Sequence, residues 1–145
     1  MAERYRIGNV GPMQLTETAE QRLQQELIVW LTTVTPTGRP QTSPVWFLWK
    51  GGEFLIYSLA ETARVRNLRA NPHVALNFDG DGVGGAVVTF EGVARIDDAA
   101  PPASAMPEYV EKYRDGMARN EWTPEVFSSR YSVPIRITPR RVRSW

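Results

Sequence analysis

The chain has 145 residues, 42% hydrophobic and 23% charged, with a formal net charge of +1. That length and composition predict one domain over residues 1–145 with a core that needs no metal or disulfide staple, and the near-neutral charge argues against a nucleic-acid binder. The absence of cysteine excludes disulfides, zinc–thiolate centres, iron–sulfur clusters and thiol nucleophiles, and the single histidine, His73, excludes His-pair metal sites and weakens any Ser-His-Asp scheme.

Residues 1–15 read as a loose N-terminal segment, with Gly8 to Pro12 as its lead-in. Thr16 or Thr18 caps a short helix with Leu23 and Leu27 on one face, Gln21 standing three residues after Thr18 in capping-box spacing. Ile28 to Thr35 is a β-rich run, Pro36 to Pro40 a turn, and Gln41 to Trp49 the returning strand. Gly51-Gly52 is then a hairpin turn into Phe54 to Ser58. Such short turns cannot make parallel crossovers, so the sheet is antiparallel. Ala60 to Asn71 predicts a helix that stops before Pro72, with Val65 and Leu68 facing the barrel. His73 to Asp79 and Ala86 to Ile96 are strands on either side of the glycine loop Gly80 to Gly85. Asp97 to Pro107 is a proline- and alanine-rich connector, and Glu108 to Met117 a helix with Tyr109, Val110 and Tyr113 at three-to-four spacing. A second short helix starts near Pro124, and Ser132 to Trp145, interrupted by Pro139, is the last strand. The sum is a mainly β chain with short α insertions, expected as a six-stranded antiparallel barrel because closure removes exposed edges.

No apolar run approaches the ~18–20 residues needed to span a membrane, and no signal-peptide pattern opens the chain. The expectation is a cytoplasmic protein with no membrane span and no nucleic-acid partner. Gly80 to Gly85 matches the GxGxxG expression, but it leads into a Val/Thr/Phe-rich strand rather than a helix, the wrong context for dinucleotide binding. Asp79 and Asp81 have calcium-loop spacing, but Phe90 stands where the bidentate Glu would be. His73 reads as structural or exposed. Trp46 and Phe47 point to opposite faces of a regular strand, and aromatic walls of this kind suit a flat ligand as well as a core.

The most informative stretch runs from Tyr57 to Pro72. A strand end supplies the hydroxyls of Ser58 and Thr62, and a helix start then brings Arg64 and Arg66. Free N–H groups and partial positive charge at a helix N-terminus, with arginine beside them, make a phosphate cradle or a solvated helix equally well.

This segment, with Trp30 to Pro40, Gln41 to Phe47 and Ile137 to Trp145 in order around it, resembles the pyridoxamine-phosphate-oxidase-like split β-barrel superfamily. The resemblance extends from about Leu27 onwards and is strongest to its deazaflavin (F420)-dependent branch. It implies a homodimer with two cofactor sites at the subunit interface. It further implies that Arg64, helped by Ser58 and Ala63, grips the cofactor phosphate, and that Ser43, Pro44, Val45 and Trp46 lie along the tricyclic ring. Val65 belongs to the same helix start, and Arg66 and Asn67 are further candidates near the phosphate or the barrel wall. Thr62 stands where some relatives carry another basic residue, and no aromatic residue stands near Gly85, departures that bear most on FMN. The function implied is an F420H2-dependent reductase passing a hydride to a small enone- or quinone-like acceptor. The alternatives are an FMN-dependent oxidoreductase of the same fold or a non-catalytic flavin or deazaflavin carrier. A borrowed cofactor fits a chain without cysteine, since reactivity then arrives with the ligand.

Overall fold

The structure, a computed structural model, describes residues 14–145; the lead-in at Gly8 to Pro12 and most of the segment 1–15 lie outside them. The elements are α1 (Glu17–Gln25), β1 (Val29–Val34), β2 (Pro40–Val45), β3 (Leu48–Lys50), β4 (Glu53–Ser58), α2 (Ala63–Ala70), β5 (His73–Asn77), β6 (Val88–Ile96), α3 (Pro107–Arg119), α4 (Pro124–Arg130) and β7 (Val133–Ser144). Thr16 is the cap of α1, its hydroxyl accepting from the Ala19 N–H at 3.1 Å. The helix ends at Gln25, so Leu23 is buried while Leu27 lies beyond it and is exposed, against the expectation of one shared face.

The described strands form one antiparallel sheet in the order β2-β1-β5-β6-β7-β4-β3. There are seven rather than the six expected, because the run Gln41 to Trp49 is two strands on opposite edges of the sheet. The backbone of Phe47 explains the break. Its N–H donates to the Tyr113 hydroxyl at 2.7 Å, and its carbonyl accepts from that hydroxyl at 2.9 Å and from Lys112 Nζ at 2.7 Å. Phe47 thus bonds to α3 instead of a neighbouring strand. Only Trp46 and Phe47 separate β2 from β3, and three Cα steps span at most about 11 Å. The sheet must therefore curl until its two edges approach, giving a half-barrel.

Two apolar clusters follow. Phe47, Phe54, Ile56, Leu76, Phe90, Ile135 and Ile137 fill the barrel, with Leu23 and Leu68 packed against them. Leu55, Tyr57, Tyr109, Tyr113, Met117 and Phe127 make a second cluster under α3 and α4, with Trp46 against it. β4 is covered on both faces, which is why it reads as the continuous run Phe-Leu-Ile-Tyr instead of an alternation. Trp46 and Phe47 enter different clusters, as expected, although they lie in the link between β2 and β3 rather than in a regular strand. Pro139 is accommodated at a bulge, where the β6–β7 register shifts between Glu91 and Gly92. None of the described helices is long and apolar enough to cross a membrane.

Candidate cofactor site

The turn from β4 into α2 carries the polar half of the site. Thr62 caps α2, its Oγ1 accepting from the Val65 N–H at 3.4 Å, so the helix starts at Ala63. The expected helix was longer at this end; the Thr62 cap stops it from beginning at Ala60. Capping leaves the N–H groups of the first turn without intrahelical acceptors. Arg64 reaches back from this turn to two strands. Its Nη1 donates to Ser58 Oγ on β4 at 3.2 Å and its Nη2 to Ser43 Oγ on β2 at 2.6 Å. Its Nε is buried and has no hydrogen-bond partner among the described residues. Burial pulls the guanidinium below the usual arginine range, with Tyr131 opposing the shift. An arginine remains charged under such a shift, so a half-buried cation faces two hydroxyls that cannot neutralise it.

Two cavities meet at this residue. A groove of about 460 Å³ runs over Thr33, Gln41, Thr42 and Ser43 to Thr62, Ala63 and Arg64. A chamber of about 380 Å³ lies beyond, walled by Trp46, Tyr57, Tyr109, Trp122, Phe127 and Tyr131, with Pro44, Val45 and Arg64 also lining it. Among the described residues, Arg64 is the single charged side chain lining either cavity. Trp46 is fixed between Tyr113, stacked at 4.4 Å, and Phe127, stacked at 5.5 Å.

The structure brings Ser43, Ser58, Ala63 and Arg64 together at the groove, and Pro44, Val45 and Trp46 onto the chamber next to it. β2 therefore serves both cavities. Val65 and Asn67 are buried on the inner side of α2. Asn67 Nδ2 donates to Thr33 Oγ1 at 3.0 Å and Gln41 Oε1 at 2.9 Å, tying α2 to β1 and β2. Arg66 is exposed and lines neither cavity.

Comparison with known proteins bears on the fold and the family. A profile described as pyridoxamine 5'-phosphate oxidase matches residues 15–145. The chain belongs to the pyridoxamine 5'-phosphate oxidase family. Among solved structures it is similar to a conserved hypothetical protein from Mycobacterium tuberculosis, at 26% identity and TM-score 0.70, covering 95% of this chain and 88% of that one. It is also similar to an F420 reductase, at 24% identity and TM-score 0.65, covering 88% of this chain and 98% of that one. A FAD-binding protein from Mesorhizobium loti shares the fold at 18% identity and TM-score 0.61, covering 88% of this chain and 92% of that one. No curated protein matches the chain significantly.

The chamber is the part of this family member that sequence reasoning missed. Tyr109 and Tyr113 were legible as the apolar face of a helix, but nothing local says that the face meets β4 and α4 around an open space. The available signal was density: Tyr109, Tyr113, Trp122, Phe127 and Tyr131 fall within one 23-residue stretch beside a strand already rich in tryptophan.

Proposed function

We propose that this protein is an F420H2-dependent reductase of small organic acceptors, with the cofactor phosphate held at Arg64. The observation that carries the reading is the half-buried Arg64 guanidinium with a buried, unpartnered Nε, at the junction of a hydroxyl-lined groove and an aromatic chamber. A buried donor without an acceptor costs about 1–3 kcal/mol, more when charged, and an anion at this position removes that cost. The charge count favours a deazaflavin. Its phosphate is a diester with one negative charge, matched by one arginine and the Ser43 hydroxyl, while the Ser58 and Thr62 hydroxyls donate to the Leu59 carbonyl. The phosphate monoester of FMN carries about −1.5 to −2 at neutral pH, and no second cation among the described residues lines the groove.

In this reading Ser43 and Ser58 hold the guanidinium plane, and Ala63 at the first helical position offers its N–H to the same anion. Gln41 and Thr42 line the rest of the groove, and the stacked Trp46 excludes water from the chamber side. When bound, a reduced deazaflavin supplies the hydride, so the chain needs to position reactants and keep them dry. A homodimer with two such sites belongs to the same proposal.

Titration of the cofactor-free protein with F420 and with FMN, followed by tryptophan fluorescence, tests it. F420 is expected to bind the more tightly, and Arg64→Ala to weaken it by about 1.5–3 kcal/mol, the range for hydrogen bonds to a charged group. Submicromolar FMN binding with no F420 response would overturn the cofactor assignment. An unchanged dissociation constant in Arg64→Ala would remove Arg64 from the phosphate site.

A further inference from the structure

The sequence holds three Asp–Gly bonds, Asp79-Gly80, Asp81-Gly82 and Asp115-Gly116. Such a bond is open to a rearrangement that needs only water, because glycine has no Cβ to screen its nitrogen from the preceding carboxyl. The fold treats the three differently. Asp115-Gly116 lies inside α3, where i→i−4 bonding engages the Gly116 N–H, and a Cβ at Gly116 would stand 3.0 Å from the Trp46 ring. Asp79 is exposed but clamped, its Oδ1 accepting from Trp30 Nε1 at 2.9 Å and its carbonyl from Arg22 Nη2 at 2.6 Å. Arg22 Nη1 also donates to the Ala86 carbonyl at 2.7 Å, so one guanidinium ties the two ends of the glycine loop together. Asp81 lies between these ends. Its Oδ1 accepts from the N–H groups of Val83 and Gly85, both at 2.9 Å. The bond from Val83 closes a ring that contains Cγ, Cβ, Cα and the carbonyl carbon of Asp81 together with the Gly82 nitrogen. Those are the five atoms that a succinimide joins. The Gly82 N–H has no hydrogen-bond acceptor among the described residues. Gly82 itself has φ 86° with nothing within 4 Å of where a Cβ would be, and Val83 beside it is 89% exposed.

We propose that Asp81-Gly82 is a modification site, at which the native protein converts aspartate to isoaspartate without an enzyme. The Gly82 nitrogen bonds to Cγ of the protonated Asp81 carboxyl, and the amide proton and the carboxyl hydroxyl leave together as water. The succinimide then takes up one water. Opening at the former side-chain carbonyl restores aspartate, and opening at the main-chain carbonyl leaves the chain running through Cβ and Cγ as isoaspartate. Nothing is oxidised or reduced, and the mass is unchanged. The main chain gains one methylene, which an exposed loop tip can absorb and the interior of α3 cannot. The N–H groups of Val83 and Gly85 hold the carboxyl below its usual range, so the acid form is scarce at neutral pH and the conversion is slow. The proposal is independent of the cofactor and of the two cavities.

The test ages the full chain for several weeks at neutral pH and physiological temperature, native in one arm and unfolded in guanidinium chloride in the other. Peptides are then read by electron-transfer mass spectrometry, whose fragments tell the two linkages apart at each aspartate. In the native arm isoaspartate is expected to be severalfold more abundant at Asp81 than at Asp79 or Asp115. In the unfolded arm, where clamps and helix are gone, the three sites are expected to convert at comparable rates. Absence of isoaspartate at Asp81 in the native arm, or its appearance there at no more than the level of Asp79 or Asp115, would overturn the proposal. So would the same ranking in both arms, since the selection would then lie in the neighbouring residues and not in the fold.

Discussion

Lys112 is a cation in a place that charges usually avoid. Its Nζ lies 3.7 Å from the centre of the Phe47 ring and donates to the Phe47 carbonyl, at the point where the sheet edges are joined. Desolvation pulls its pKa down to about 8 from an ordinary value of 10.5, with Glu26 opposing the shift. Between those two values the unfolded chain holds a proton that the native state has released, so this group makes stability rise with pH across that window. Below pH 8 both states are charged and the full burial cost is present. Denaturant unfolding of wild type and Lys112→Met at several pH values from 7 to 10.5 checks this. The stability of the wild type relative to the variant is expected to climb above pH 8, and a flat difference would show that the ammonium is well hydrated. At the same scale, the clustering of Ser58, Thr62 and Arg64 at one strand-to-helix turn was legible in the sequence, whereas the hydrogen bond from Arg64 to Ser43 was not. The role of Asn67 was not, because its partners Thr33 and Gln41 are distant in the chain and adjacent only across the folded sheet.

Among the elements, α3 owes its exit to an unusual residue. It ends with Glu121 in the left-handed region at φ 58°, where the Glu121 N–H donates to the Ala118 carbonyl at 3.0 Å and the Trp122 N–H to the Met117 carbonyl at 2.9 Å. This is the Schellman arrangement, which normally places glycine at that position because any Cβ is strained there. The turn sends Trp122 back to the chamber wall, so the strain positions an aromatic residue of the site. Glu121→Gly is expected to stabilise the protein by about 0.5–1 kcal/mol, read as a higher Tm with little change in ligand affinity. A lower Tm would mean that the exposed Glu121 side chain makes a contribution larger than the strain. Gly92 shows the opposite case at the β6–β7 bulge, where a Cβ would stand 2.9 Å from the Thr138 carbonyl oxygen and 3.0 Å from Ile137. Element types were readable from periodicity and caps nearly everywhere. Boundaries shifted where a cap or long-range bond intervened, as at Thr62.

For the whole molecule, the decisive event is the passage of the chain from one sheet edge to the other through Trp46 and Phe47. Phe47 is fully buried in the barrel and touches the rings of Phe54 at 5.5 Å and Phe78 at 5.8 Å. Phe47→Ala is expected to cost about 3–5 kcal/mol, as for a fully buried phenylalanine, measured from urea unfolding. A loss under about 0.5 kcal/mol, the range of ordinary surface changes, would mean that the barrel closes without this anchor. The same crossing puts the barrel core on one side of the chain and the chamber on the other, so the fold's closure and its aromatic site depend on adjacent residues.

Sequence alone determined the mainly β antiparallel class, the order of nearly all elements, the polar strand-to-helix turn from Ser58 to Arg64 and, through resemblance, the family. Each of these is written in local pattern, where side-chain period, turn residues and caps act over a few positions. Tertiary structure alone decided that Gln41 to Trp49 is two strands on opposite edges, since Tyr113 and Lys112, some 65 residues away, capture the Phe47 backbone. It alone decided that the aromatic residues of α3 and α4 enclose a chamber beside Arg64. A cavity is a relation among surfaces distant in sequence, and no local pattern encodes the space between them.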